Sequence, residues 1–447
     1  MIKIDKYVLI DFFIGDGFML FGTQKVIGNE LYIGGMSVSK LVEKHGSPLY
    51  VYDEQYIEEQ IDLFQKSFRS DVFDTRVAYA SKAFMTLYMA QLLERKNMSM
   101  DCVSLGEMYT AKRAGFNMKN AIIHGNNKSL LELEMAVKEG SLIVVDNDLE
   151  LGVLSEIAKK LGLRVNTLLR VNPGIEAHTH EYIITAKLTS KFGESIFDLE
   201  KLDTVAGLYK NSEFVHLRGF HCHIGSQIQK NDAFIETIHV MTDFIKDFEE
   251  RYDMVIDMLN LGGGFGVYYT EEDHVEELGG LLRHIIKELE IDVLEKELHV
   301  SEVIIEPGRS IISNAGTTLY TVGYQKETYG GKNYLFVDGG MTDNIRPALY
   351  QAKYSCDIAT NMFGLKNLTY TVAGKLCESG DVLINDALVQ EFHKDDILAI
   401  YTTGAYNYTM ASNYNRMLKP EVVFVKDGKS KIVVKRETLE DLIRNDL

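Results

Sequence analysis

Between about residue 75 and residue 310, short runs rich in Val, Ile, Leu and Tyr alternate with longer stretches of helical periodicity, which limits the chain to few folds. The runs are Val77–Ala80, Ser99–Val103, Ala121–His124, Leu142–Val145, Asn166–Val171, Val215–His221, Met258–Leu261 and Glu302–Ile305. The intervals can each hold a crossover helix, visible at Met85–Arg95 and Leu131–Glu139. Eight alternating units of this kind predict a (β/α)8 TIM-like barrel. The interval from Val171 to Val215 is the longest and needs a loop besides its helix.

Past Ser310 the rhythm becomes that of strands joined by turns: Leu319–Tyr324, Tyr334–Val337, Leu368–Val372, Ile397–Thr402, Val422–Val425 and Lys431–Lys435. Asp427-Gly428 between the last two is a hairpin signal. The expected architecture is α/β plus β, with an antiparallel β-domain of sandwich or Greek-key type following the barrel. The opening 30 residues also look strand-like, with Gly15-Asp16-Gly17 as a turn. The expected division is 1–54 as an N-terminal segment packing on the β-domain, 55–310 as the barrel and 311–447 as the β-domain.

Charge and cysteine usage narrow the function. Against 65 Asp and Glu stand 47 Lys and Arg, a net charge of −18 with no basic stripe, which argues against nucleic acid and anionic lipid as partners. The 4 cysteines (Cys102, Cys222, Cys356, Cys377) show neither a C-x-x-C pair nor zinc-like spacing, as expected in a reducing, cytoplasmic setting. The apolar stretch Val8–Phe21 carries Asp11 and Asp16 and lacks a basic leader, so neither a membrane span nor a signal peptide is expected.

In such barrels the chemistry lies at the C-terminal strand ends. Lys82, after the first run, can form a Schiff base if partial burial supplies its neutral amine; alone, a strand-end lysine is more often a solvated surface group. Leu261-Gly262-Gly263-Gly264-Phe265-Gly266 follows the seventh run, where backbone N–H groups can approach a phosphate, or where the glycines simply make a tight turn. In Glu306-Pro307-Gly308-Arg309, after the eighth run, Gly308 and Arg309 can complete a phosphate grip and Glu306 can keep a ring nitrogen protonated; the bland alternative is a capped turn. His221 and His223 share one side of a strand, but no third ligand of suitable spacing accompanies them, and no metal is expected. Cys377, flanked by Glu378 and Asp381, reads as a small buried hydrophobe or as a proton donor.

Together these motifs make the chain resemble the diaminopimelate decarboxylases, pyridoxal phosphate (PLP) enzymes of the alanine racemase/ornithine decarboxylase fold type. The likeness runs from about Glu30 to the C-terminus. It includes Tyr79-Ala80-Ser81-Lys82-Ala83, Gly125-Asn126-Asn127-Lys128-Ser129, Arg170-Val171-Asn172-Pro173-Gly174, Ser190-Lys191-Phe192-Gly193 and His223-Ile224-Gly225-Ser226-Gln227. It continues through Asp338-Gly339-Gly340-Met341, Ile345-Arg346-Pro347-Ala348-Leu349-Tyr350, Cys377-Glu378-Ser379-Gly380-Asp381 and Gly404-Ala405-Tyr406. The resemblance implies decarboxylation of meso-2,6-diaminopimelate to L-lysine and CO2, the last step of lysine biosynthesis. It implies that Lys82 tethers PLP, His223 stacks on the ring, Glu306 pairs with the ring nitrogen, and Ser226, Gly264, Gly308 and Arg309 surround the phosphate. Tyr406 would contact cofactor and substrate, while Arg309, Arg346, Tyr350 and Glu378 hold the substrate's far end. Cys377 is assigned the proton returned to the substrate carbon, and a homodimer with shared active sites is implied. The two arginines suit a second amino-acid head group, because a guanidinium offers carboxylate a planar fork.

The chain also departs from the family pattern. Phe84 stands where many members carry Asn, Ile184 and Ala186 replace a more usual small polar residue and Gly, and Asn407 and Thr409 vary beside Tyr406. The rival reading is a decarboxylase of the same fold acting on another or a carrier-bound amino acid. A barrel hydrolase with paired carboxylates leaves Lys82 and the glycine loop unexplained, and a non-catalytic binding module should be neither yellow after purification nor bleached by borohydride.

Overall fold

The structure, a computed structural model, describes residues 19–175 and 190–447. Gly15-Asp16-Gly17, most of Val8–Phe21, Ile184 and Ala186 lie outside them. The chain divides into two compact units: Gln60–Val267 with His274–Ile311, and the residues up to Glu59 with Tyr268–Asp273 and Ile312–Leu447.

The first unit is a closed parallel barrel. Its strands are β1 (Asp74–Ala80), β2 (Ser99–Cys102), β3 (Ala121–Ile123), β4 (Leu142–Val145), β5 (Val165–Asn172), β6 (Val215–His221), β7 (Met258–Asn260) and β8 (Glu302–Ile305). Neighbours pair in parallel around the ring, and β8 closes on β1 with Ile305 opposite Val77. All eight expected runs are these strands. A two-residue strand, Glu194–Ser195, pairs with the end of β5, and the helix Leu199–Asn211 follows it in the long interval. Helices begin where a side chain can cap them: Thr86 Oγ1 accepts from the Met89 amide, so the helix expected from Met85 starts at Leu87. Ser129 and Glu132 cap each other's amides to start Leu130–Glu139.

Side chains alternate along each strand, so register decides what enters the barrel. Ala78, Ile122, Leu142, Val144, Leu168, Met258 and Ile304 form one buried cluster. Two residues further along β3 and β8 from Ile122 and Ile304 stand His124 and Glu306. Arg170, His221 and Asn260 lie side by side in register with Ile304, and Asp101 lies in register with Ile122. The same alternation that fills the barrel with aliphatic groups thus puts polar ones at its C-terminal mouth.

The second unit is built on a sheet of Val382–Gln390, Lys366–Ala373, Asn333–Val337, Gly316–Glu327, Leu49–Asp53, Glu421–Lys426 and Lys429–Val434, in that spatial order. Ile397–Ile400 pairs with Gly316–Glu327 and with Cys356–Ile358. Most pairings are antiparallel; Leu49–Asp53 with Glu421–Lys426, and Asn333–Val337 with Lys366–Ala373, are parallel. The fully buried Leu49–Asp53 therefore joins chain segments from both ends. Asp427 and Gly428 turn the last hairpin with both φ values positive, as a two-residue type I′ loop requires. A small three-stranded sheet (Lys25–Ile27, Glu30–Ile33, Met36–Ser37) adds Leu31 and Ile33 to a core with Val51, Leu319, Tyr401 and Val423. Among the described residues no helix is long and apolar enough to cross a membrane.

Candidate active site

At the barrel mouth the central group is Glu306, one residue past β8 and only 6% exposed. Its Oε1 accepts from His124 Nε2 at 2.8 Å and Asn260 Nδ2 at 2.7 Å, and its Oε2 accepts from His221 Nε2 at 3.2 Å. Burial alone raises this carboxyl, but the two histidines bonded to it outweigh that and hold it well below the usual range. Desolvation pushes His221 down to about 3, so it meets Glu306 as a neutral N–H donor. Sequence spacing pairs His221 with His223 and offers no third ligand. The structure instead gathers His221, His124 and Glu306, all buried, with ligand atoms within 4.8 Å of one another, so a third potential metal ligand does exist. The 2.8 and 3.2 Å contacts are lengths of ordinary N–H···O bonds.

Asp101 lies beside this cluster; desolvation first, then the Glu306 charge, raises its carboxyl to about 7, and its Oδ1 has no hydrogen-bond partner. Arg170 is in the same field, where Asp146 and then Glu306 are the charges that most favour its cation against desolvation. Lys82 sits in the single 3₁₀ turn Ser81–Ala83 directly after β1, exposed between two buried neighbours. It is near enough to His223 to act, after desolvation, as the main charge lowering that imidazole well below its ordinary value.

The glycine loop after β7 is pinned on both flanks. The Gly263 amide donates to His223 Nδ1 at 3.1 Å, the Glu306 amide donates to the Gly262 carbonyl at 2.7 Å, and the Ile228 amide donates to the Gly264 carbonyl at 2.9 Å. A Cβ on Gly263 would lie 2.2 Å from the Glu306 carbonyl oxygen, so only glycine fits there. The Ala80 amide donates to the Pro307 carbonyl at 3.0 Å, and a Cβ on Gly308 would lie 2.8 Å from Ala80 Cβ. Arg309 reaches Ser226 Oγ with Nε at 3.2 Å and Nη2 at 2.9 Å. Ser226, Gly264, Gly308, Arg309, Glu306, His223 and Lys82 thus all belong to loops at one end of one barrel.

Arg346, Tyr350, Cys377, Glu378 and Tyr406 belong to the β-rich unit. Arg346 is buried, and its Nη1 donates to Tyr354 Oη at 2.6 Å and Tyr269 Oη at 3.0 Å. Its guanidinium also lies over the rings of Tyr269, Tyr354 and Tyr406, 5.1, 5.8 and 5.9 Å from their centroids. Tyr406 is held at φ 64, in the left-handed region. Tyr350 ends the short helix Arg346–Tyr350 and is partly buried. Cys377 and Glu378 are exposed, in the turn that Asp381 ties down by accepting from the Met341 and Leu376 amides at 2.6 and 2.9 Å. Of the two readings of Cys377, the buried hydrophobe is thereby excluded.

Asp101 and Asn260 belong to none of the sequence motifs, and Arg170 belongs to one only as the first residue of Arg170-Val171-Asn172-Pro173-Gly174. Each is a polar side chain in register with the aliphatic layer that fills the barrel, and a polar residue at such a position is the signal that marks them.

A parallel barrel carrying a buried ionised carboxylate, a strand-end lysine and a glycine loop defines a PLP-binding barrel, and residues 54–313 match the family model described as "Pyridoxal-dependent decarboxylase, pyridoxal binding domain". Among curated proteins the chain is similar to diaminopimelate decarboxylase of Bacillus subtilis, 46% identical over 93% of this chain and 95% of that one. It is equally similar to the enzyme of Bacillus methanolicus, 46% identical over 93% of this chain and 96% of that one. A crystal structure of diaminopimelate decarboxylase from M. jannaschii in complex with L-lysine superposes with TM-score 0.88 at 32% identity, covering 95% of this chain and 98% of that one. The chain belongs to the diaminopimelate decarboxylase family, and its cofactor is PLP.

The residues present fit that cofactor. A buried carboxylate ringed by N–H donors and held ionised suits a cationic ring N–H, and a loop without side chains at Gly262, Gly263 and Gly264 lets a phosphate approach its main chain closely.

Proposed function

We propose that the chain decarboxylates meso-2,6-diaminopimelate to L-lysine and CO2, the last step of lysine biosynthesis, using Lys82, His223, Glu306 and the Ser226, Gly264, Gly308 and Arg309 loops as its cofactor site. The observation that carries this assignment of residues is the Glu306 cluster, whose ionised carboxylate is what the cofactor's ring nitrogen needs. Bound PLP supplies an electron sink for the pair left behind when CO2 departs. Lys82 Nζ is the covalent tether, and its place after β1 puts the amine at the mouth. His223, held by the Gly263 amide and kept neutral, offers a flat face without a competing charge.

Selectivity rests on the far end of the substrate. Arg346, Tyr350 and Glu378, with Arg309, recognise a second carboxylate and amine there. A substrate without the second carboxylate leaves the remaining guanidinium N–H groups unpaired, at about 1–3 kcal/mol for each buried one. Cys377 Sγ–H delivers the proton to the carbon that loses CO2. Both Cys377 and Glu378 are exposed on their own chain, which supports a homodimer in which this turn serves the barrel of a second copy. A barrel from 55 to 310, a β-domain from 311 to 447 and an N-terminal segment, 1–54, packing on that β-domain are part of the same reading, as is a cytoplasmic location. Borohydride treatment of the PLP-loaded protein followed by peptide mass mapping tests the tether: the pyridoxyl group is expected on Lys82, and its appearance on any other lysine would overturn the assignment.

A further inference from the structure

Glu306 Oε1 is saturated by two short N–H bonds, from His124 at 2.8 Å and Asn260 at 2.7 Å, whereas Oε2 has one long bond, from His221 at 3.2 Å. Oε2 therefore retains acceptor capacity for a further N–H, and the Oε1 donors act on whatever proton Oε2 shares. A carboxylate can only accept, so both imidazoles present their Nε2–H to it. The His124 and His221 rings meet edge to face at 4.7 Å, which fixes both orientations. Asn260 is locked in turn, because its Oδ1 accepts from the Gly262 amide at 2.9 Å. Other charged and titratable groups nearby include Asp101, Arg170, Cys222, Lys82 and His223.

A carboxylate facing a pyridine nitrogen shares one proton with it, and the more basic partner keeps the larger share. Donors that bond to the carboxylate make it a weaker base without cancelling its charge. Resting on the assignment of Glu306 to the ring nitrogen, we propose that His124 is a positioning residue: with Asn260 and His221 it weakens Glu306 as a base, so that the shared proton stays on the nitrogen. The sequence points to Glu306 as the group that keeps the ring nitrogen protonated; the geometry extends that task to the donors behind it.

The test uses PLP labelled with ¹⁵N in the ring, bound to the full-length protein, and reads the ring ¹⁵N chemical shift together with kcat, KM and the PLP dissociation constant. Native protein is expected to show a protonated ring nitrogen. His124→Phe is expected to move the proton equilibrium roughly tenfold toward Glu306, shift the ¹⁵N signal toward neutral pyridine and lower kcat about tenfold, with KM within about twofold. His124→Gln keeps an N–H donor and is expected to restore signal and rate. His221→Leu, which removes the Oε2 donor, is expected to shift the signal in the same direction and replaces His124→Phe if that variant does not fold. A native-like ¹⁵N signal in the His124→Phe or His221→Leu protein, while Glu306→Gln shifts it, overturns the proposal and leaves the Glu306 assignment standing. An unshifted signal in Glu306→Gln overturns both.

Discussion

Gly264→Ala perturbs the glycine loop at the residue assigned to the phosphate. Gly264 has φ +111, and a Cβ there would stand 2.6 Å from the Gly225 carbonyl oxygen and 3.1 Å from Ile228 Cδ1. Because the Ile228 amide is bonded to the Gly264 carbonyl at 2.9 Å, the clash can be relieved only by parting the loops after β6 and β7 by several tenths of an ångström. A non-glycine residue in so sparsely populated a conformation costs about 1–3 kcal/mol. Without cofactor the loops can relax and escape most of that strain, and gripping the phosphate imposes it again. PLP binding should therefore weaken roughly 10- to 100-fold. Equilibrium dialysis of the apoprotein against PLP, read by the cofactor's own absorbance, measures this in a chain that has 0 Trp. Gly207→Ala is the control: it lies in the helix Leu199–Asn211 with nothing within 4 Å of the added methyl and should bind PLP as the native chain does. A Gly264→Ala protein that binds PLP within a factor of two of native would refute the reasoning about this loop.

Two further outcomes follow from the β-rich unit. Cys377→Ala should retain PLP while turnover falls about 10²-fold or more, the usual loss for a positioned proton donor, and unchanged turnover in a steady-state assay would remove the thiol from that role. Asp343 is buried, accepts from Tyr320 Oη at 2.5 Å, Gly340 N at 3.0 Å and Thr342 Oγ1 at 3.1 Å, and is pushed up by desolvation to about 7. A carboxyl raised on folding binds more protons folded than unfolded between about pH 4 and pH 7, so its contribution is full below that window and is lost as pH rises through it, by up to about 4 kcal/mol. Asp343→Asn should flatten that part of the stability profile; urea midpoints of native and variant proteins at pH 5 and pH 8 that fall in parallel would contradict it.

The barrel was legible because each of its strands is a short apolar run between helices, a pattern local enough to read without knowing what pairs with what. The β-rich unit was legible only in part. Val382–Gln390 was missed because Asn385 and Asp386 interrupt its apolar residues, and Asp386 takes φ 52 where the pairing register slips. Cys356–Ile358 is three residues long and owes its place to pairing with the distant Ile397–Ile400. The parallel pairing of Leu49–Asp53 with Glu421–Lys426 likewise joins segments whose mutual fit leaves no local mark. In the site, strand-end residues such as Lys82, His223 and Glu306 announced themselves through motifs, whereas Asp101 and Asn260 sit inside strands and become visible only once register shows which way they face.

Incubating the PLP-loaded protein with meso-diaminopimelate, and separately with ornithine, arginine and lysine, while following CO2 and the amine products, tests the central claim most directly. Stoichiometric CO2 and lysine from diaminopimelate alone is the predicted result. CO2 from one of the other amino acids at a comparable rate, or none from diaminopimelate while PLP remains bound through Lys82, would contradict it.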